Sequence, residues 1–597
     1  MRPVVSMPSR ARRTTRWAGG VVGALAALSL SACATVPTSG PVREGGDLRL
    51  DRENVAVPFI ANPPQEGASA QNVVLGFLRA SADFRNDHRV ARLHLAPQVR
   101  QRWRTGASTT IYERVETPLA VEEDGETVTV SGAEVARIDA EGSYRRTPTG
   151  TDVTRSFTLA RVDGEWRIAS LEDGLLLSLV DAQESLRQVS LYFLSPSLNT
   201  LVPDTVLLPE LPGLSTRLVS RLLRGPTAAL RGAVTTAFPQ GTGLEVPSVP
   251  IRDGLVTVRL DETALSAGDD AREQMAAQIV WTVKQLGSEV ESVRITAGGE
   301  DLVASGVAEE QPRDSWLTFD PNGLTDTPSV YVVRGAQVGR IIEGGFDPVA
   351  GPAGGGQVAV RSPAVSLDEA RLAAVSTDGV ALYVGRLAPE APFEQVATGG
   401  DLGPPSWDPL GNLWFVDRST GAVSVIPNGS SQAVPVEVGE LPGGGRPTQL
   451  ALSRDGTRMV LVTRAGRAAR LLVATVAGVD QLDAEEPESA RVSIESAQEV
   501  LPDLRGVRDV AWADAGTLAV LGSRGGAPVE PLYTSTDGYD VEEVQAEADL
   551  VALAAAPPVG TQVSPLVAAT AEGELQQFTS GRAWVRLGEG SGPAYPG

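Results

Sequence analysis

Residues 450–463 read LALSRDGTRMVLVT. Two apolar runs flank an Asp-Gly turn, a pattern that predicts two antiparallel strands. The outline recurs in SWLTFDPNG (315–323, before SVYVV), AVSLDEARLAAVS (364–376), PSWDPLGNLWFVD (405–417), VAWADAGTLAVLGS (510–523) and the degenerate LAAAPPVGTQVSPLVAAT (553–570). The turn aspartates Asp320, Asp368, Asp408, Asp455 and Asp514 lie 48, 40, 47 and 59 residues apart. A period in the forties leaves room for further short strands and predicts four-stranded β-propeller blades over 315–597. Six segments predict about six blades, and closing the ring hides strand edges that would otherwise be exposed. The turn aspartates are expected to cap their own backbone turns rather than to hold metal.

Working outward, residues 186–303 alternate strands and helices. RQVSLYFLSP (187–196), GLVTVRLD (254–261) and EVESVRITAGG (289–299) read as strands. TRLVSRLLRG (216–225) reads as a helix stopped by Gly225-Pro226. AREQMAAQIVWTVKQLG (271–287) reads as a long helix with a glycine stop,. Met275, Ile279 and Trp281 on it are expected in the core. Residues 67–182 begin with helical periodicity over 68–82, where Ser69 is a candidate N-cap and Val73, Val74, Phe77 and Leu78 form one stripe,. A second helix is expected over 87–96. Alternating segments 110–116, 127–138, 155–162 and 165–171 follow, with Asp163-Gly164 as a hairpin signal,. The fold class is therefore multi-domain: two α+β domains and then an all-β propeller.

The first 32 residues read as a leader. Arg2, Arg10, Arg12, Arg13 and Arg16 precede the apolar run VVGALAALSLSAC (21–33), and no acid occurs before the cysteine. The run is short for a membrane span, which takes about 20 apolar residues, and its small residues end in Cys33. Leu30-Ser31-Ala32-Cys33 is similar to a bacterial lipobox. That resemblance implies cleavage after Ala32 and a cysteine bearing S-diacylglycerol and N-palmitoyl groups. Residues 33–66 are polar and Pro-rich and are expected to be a flexible tether. Cys33 is the only cysteine, so a disulfide or cysteine-based metal site is excluded,. The formal net charge is −23 and the leader contributes only basic residues. Such a body disfavours nucleic acid and anionic lipid surfaces and leaves membrane attachment to the anchor.

No catalytic, cofactor or metal site is expected. His88 and His94 are the only histidines, and their spacing of six does not share a helix face. They are read as surface or helix-end residues. Lys284 is the only lysine among 51 basic residues. No Gly-x-Ser-x-Gly elbow occurs, and the glycine runs at 353–356 and 443–445 lack a phosphate-loop lysine,.

The helices followed by a sheet at 67–182 resemble an NTF2-like cone. Leu191-Tyr192-Phe193, Leu222–Pro226, Pro239–Thr242, Val258–Leu260 and Gln278–Thr282 resemble the GerMN domain. With the lipobox and propeller, and with Gly76–Ser81, Leu201–Asp204 and Thr236–Pro239, the chain resembles the LpqB family of actinobacterial lipoproteins. The resemblance implies a non-enzymatic accessory of the MtrA–MtrB two-component system. It would sit lipid-anchored on the extracytoplasmic face of the cell membrane. There it would bind the extracytoplasmic domain of the MtrB-like sensor histidine kinase and influence cell-wall homeostasis and division. An envelope small-ligand or glycan-binding protein is the alternative, and a glycan hydrolase or lyase a more distant one, since Asp and Glu are plentiful.

Overall fold

Val73, Val74, Phe77 and Leu78 share one side of a 3.6-residue helix, and all four are buried,. In this computed structural model they sit on α1 (Ala70–Ala80), where the Ser69 hydroxyl accepts from Asn72 N at 3.2 Å. The structure describes residues 61–597 except 116–118, 123–124, 198, 324–326, 343–344, 483–484, 486–489, 547, 560–563 and 580–581. The leader, Cys33 and the first part of the expected tether lie outside the described residues.

After α1 come the short helices α2 (Arg89–Leu93) and α3 (Pro97–Arg100). A single helix over 87–96 does not form. His94 O and Ala96 N instead bond to Ile168 in the sheet, at 2.9 and 2.8 Å. Pro97 then starts the next turn at N1, where its missing N–H costs nothing,.

The first sheet has the order β6-β5-β3-β1-β7, from β1 (Thr109–Val115), β3 (Thr127–Ile138), β5 (Asp152–Val162), β6 (Glu165–Ser170) and β7 (Leu175–Ser178). Short strands β2 (Ala120–Val121) and β4 (Tyr144–Arg146) pair with β3. Asp163 and Gly164 both take positive φ in the β5–β6 hairpin. The sheet is antiparallel except that β7 runs parallel to β1. Its LLLS sequence carries no alternation, because three of its four residues are buried. Phe77 packs on Trp103 and Phe157 at centroid distances of 5.1 and 5.8 Å.

Helix α4 (Leu179–Ser185) leads into an antiparallel pair, β8 (Leu186–Leu194) and β9 (Leu201–Pro209). Helices α5 (Leu214–Leu222) and α6 (Asp269–Lys284) pack between this pair and a second sheet. That sheet orders β10 (Ile251–Arg252), β11 (Leu255–Leu260), β12 (Ser292–Ala297) and β13 (Glu300–Asp301), with β14 (Glu310–Pro312) beside β12. Met275, Ile279 and Trp281 are buried, as their spacing predicts.

The propeller has six blades. Five occupy 360–398, 406–435, 446–499, 504–543 and 550–589, and the third of these gains a parallel edge strand from Glu437–Val438. The recurring sequence outline is the inner hairpin of a blade. The remaining blade contains Val330–Arg334, Gln337–Ile342 and Gly345–Pro348, and its innermost strand is Ser591–Ala594. The tail pairs antiparallel with the start of the ring, Tyr331 opposite Ala594.

SWLTFDPNG therefore belongs to no blade. It forms a single 3-10 turn at Leu317–Phe319. Trp316 is turned inward, and its carbonyl accepts from Trp281 Nε1 at 3.1 Å. It imitates the repeat because Asp320 caps its turn as the blade aspartates cap theirs.

Candidate functional site

The turn aspartates share one geometry. A carboxylate oxygen accepts the backbone N–H two residues on: Asn322 from Asp320 (2.8 Å), Ala370 from Asp368 (3.1 Å), Leu410 from Asp408 (3.0 Å), Thr457 from Asp455 (2.9 Å) and Gly516 from Asp514 (2.7 Å). Asp408 is buried and also accepts from Asn412 N, Asn412 Nδ2 and Trp414 Nε1 at 2.8, 2.8 and 3.0 Å. Burial pushes Asp408 above the usual carboxylate value, against the pull of those donors. Asp455 is equally buried. Its pair with Arg458 at 2.6 Å and its hydroxyl donors outweigh desolvation and hold it below the usual value.

Blades are stitched to their neighbours by the same economy. Trp407 Nε1 donates to Ala364 O and Trp512 Nε1 to Ala451 O, both at 3.0 Å. Asp509 accepts from Leu553 N at 2.9 Å and from Gln449. A cavity of about 160 Å³ runs along the inner strands. Among the described residues that line it, Asp509 is the only Asp or Glu.

The described residues belong to one compact body, and its three folded parts meet at polar seams. Between the first sheet's domain and the β8–β9 domain, Glu141 accepts from Ala228 N at 2.7 Å and pairs with Arg231 at 2.5 Å. Burial raises the Glu141 pKa, but those two partners outweigh it and hold it low. Against the propeller, Gln188 Nε2 donates to both oxygens of Asp537 at 3.0 Å, and Arg146 Nε donates to Gly538 O at 2.6 Å. Tyr144 meets Tyr539 edge-on at 5.2 Å. Burial pushes Asp537 above its ordinary value. A cleft of about 620 Å³ opens beside this seam between Tyr192, Trp281, Asp514 and Tyr533.

His88 and His94 sit at the two ends of α2, at its N-cap and C-cap. Neither is a surface residue, at 4 % and 1 % exposed. His88 packs on Phe84 and Trp103, so it is an aromatic of the core. Burial pushes both imidazoles below their ordinary pKa. The described residues contain no group of three or more His, Cys, Asp or Glu placed to hold a metal ion. Lys284 Nζ lies 2.7 Å from the Trp281 ring centroid, and burial lowers its pKa to about 8. The seam residues Glu141, Gln188 and Asp537 carry no motif. Only their pairing with residues 87 to 349 positions away reveals them.

Three family profiles match in chain order. They are the N-terminal domain of lipoprotein LpqB at 63–183, a sporulation and spore-germination domain at 190–303, and the LpqB β-propeller domain at 336–596. Lipoprotein LpqB of Thermobifida fusca is 32% identical over 98% of this chain and 100% of its own length. The chain belongs to the LpqB lipoprotein family. Its Streptomyces coelicolor namesake is 29% identical over 98% of both chains. The tandem GerMN domains of GerM from Bacillus subtilis align at TM-score 0.19 and 14% identity, over 26% of this chain and 59% of theirs. As a member of this family the chain is a membrane lipoprotein. No helix among the described residues is long and apolar enough to cross a membrane.

Proposed function

We propose that this chain is a non-enzymatic accessory of a sensor histidine kinase, anchored through lipidated Cys33 to the outer face of the cell membrane. Its partner is the extracytoplasmic region of an MtrB-like kinase, and through it the chain tunes MtrA signalling in cell-wall homeostasis and division. Family membership supports the anchor.

The observation that carries the non-enzymatic part is how the buried and half-buried carboxylates are used. Asp204, Asp408, Asp455, Asp509 and Asp537 each accept two or more hydrogen bonds from the surrounding frame. A general acid or nucleophile must instead face a substrate with capacity to spare. In the 160 Å³ cavity along the inner strands Asp509 has no second acidic side chain with which to form the paired geometry of glycoside hydrolysis,. A frame that spends its polar groups on itself suits a rigid recognition body.

The test is photocross-linking in native membranes, with the full-length lipoprotein carrying a photoreactive residue at the exposed Leu317 or Val585. A kinase adduct that disappears with Cys33→Ala is the expected result. Absence of an adduct from every exposed site tried on all three domains would refute the partnership. Retention of Cys33→Ala on membranes would refute the anchor.

A further inference from the structure

Helix α1 contains a glycine in mid-helix, where glycine costs up to about 1 kcal/mol relative to alanine. The reason lies across the interface. A Cβ on Gly76 would stand 2.7 Å from His94 Nε2. His94 is 1 % exposed, and its Nδ1 lies 3.2 Å from Val90 O. That contact makes Nδ1 the N–H donor, so Nε2 carries the free lone pair. Among the described residues Nε2 has no hydrogen-bond partner. His94 and Gly76 both line a cavity of about 1220 Å³ between α1, the segment 61–69, and the junction of β1 with β7 and α4.

A second buried polar side chain faces the same space. Tyr112 is 8 % exposed, and no hydrogen bond reaches its hydroxyl among the described residues. Burial raises its pKa to about 12, with Asp181 adding to the rise and Arg79 opposing it, and both of those residues also line the cavity. Asp181 accepts from Ser178 Oγ at 2.7 Å but has no cationic partner among the described residues. Arg79 is exposed at the rim and has no carboxylate partner among them. Val73, Leu75 and Leu78 supply apolar wall.

His94, Tyr112, Arg79 and Asp181, in a lining that also holds Glu66 on the segment 61–69, specify a ligand by complementarity. A neutral imidazole acceptor beside a phenol donor matches the N–H and C=O of one amide. An unpaired guanidinium at one side and an unpaired carboxylate at another match a free carboxylate and a free ammonium. The cavity exceeds the roughly 300–1,000 Å³ of ordinary small-molecule sites, which leaves room for more than one residue. We infer that this cavity binds a short peptide with free termini, holding its amide between His94 and Tyr112, its carboxylate on Arg79 and its ammonium on Asp181. The site goes beyond the accessory role and stands independently of the kinase as partner.

Calorimetric titration of the full-length lipoprotein in detergent micelles with trialanine and trileucine tests it. At least one is expected to bind below millimolar concentration. Amidating its carboxylate or acetylating its amine is each expected to weaken binding about tenfold, the worth of one charge-assisted hydrogen bond. Arg79→Ala should abolish the sensitivity to amidation while leaving that to acetylation, and Asp181→Asn should do the reverse. Tyr112→Phe should weaken every form equally without changing the melting temperature. Failure of both peptides to bind at millimolar concentration overturns the inference. So does equal binding of free and blocked forms, or a charge sensitivity that survives both substitutions.

Discussion

The propeller and the N-terminal domain both bury polar side chains, but they use them differently. In the propeller, Asp408 takes up four donors from its own turn and strand. In the N-terminal domain, His94 Nε2 and the Tyr112 hydroxyl reach no partner among the described residues, and both residues line an open cavity. Polar atoms that face open space are available for a ligand to satisfy. The contrast separates polar residues that hold the frame from polar residues held ready.

The sharpest way to break this comparison is Asp408→Ala. It strands two backbone N–H groups, a side-chain amide and an indole N–H, and should cost about 3 kcal/mol or more in denaturant unfolding. A loss below about 1 kcal/mol would remove the structural reading of the turn carboxylates.

Lys284 comes next. Its ammonium is disfavoured by burial, so the folded state prefers the neutral amine above about pH 8 while the unfolded chain stays charged to about 10.5. Wild-type stability should therefore rise between those values. Lys284→Met should be more stable below pH 8, by on the order of 1 kcal/mol after discounting for the partly exposed amine. The gap should close toward pH 10.5. Urea midpoints across pH 7–10.5 measure it, and a constant gap would contradict the burial argument.

Smaller again is Asp368→Ala. This exposed turn carboxylate is held below its ordinary pKa by the Ser366 hydroxyl first, and then by Ala370 N–H against a small burial cost. A lowered carboxylate pKa adds stability above the unfolded value and loses it as pH falls through the folded one. The substitution should cost about 0.5–1 kcal/mol at neutral pH, and thermal melts should show the difference shrinking as pH falls below the ordinary carboxylate pKa and vanishing below the lower folded one,. The smallest effect belongs to Tyr112→Phe, within about 0.5 kcal/mol, because no hydrogen bond is lost. A larger loss would mean that the hydroxyl already has a partner.

Much of the frame was legible because it is local. Four inner hairpins announce themselves through a turn aspartate between apolar runs, and five of the six segments fall on blades, the remaining blade being the one built from 330–348 and 591–594. The first segment misled for a physical reason. Asp320 caps a turn by the same rule that governs the blades, but Trp316 is committed to Trp281 and leaves no strand beside it. The strand that completes the ring, SGPA at 591–594, has no apolar run to mark it. Strand β9 went unread for a related reason, since Pro203 and Asp204 interrupt its pattern. Asp204 is tied to Thr227 N and Oγ1 instead.

The candidate sites were less legible. His94 looked like an exposed helix end, because burial depends on Gly76 in another helix. Tyr112, Arg79 and Asp181 carry no motif and lie on three different elements. Complementarity between distant residues has no periodicity, so nothing in a single chain of letters singles them out.

The tail strand has a consequence for the order of assembly. The chain is synthesised from its N-terminus, so residues 591–594 arrive after every other strand of the ring. Until then the inner edge of 330–334 stands open, and its partner is separated from it by almost the whole propeller. Contacts of such long sequence separation form slowly, because loop closure precedes the reward. The two α+β domains have no such dependence and can complete early. Each newly made molecule thus passes through an interval with finished α+β domains and an unsealed ring. During that interval an unpaired strand edge invites the tail of a neighbouring copy as readily as its own.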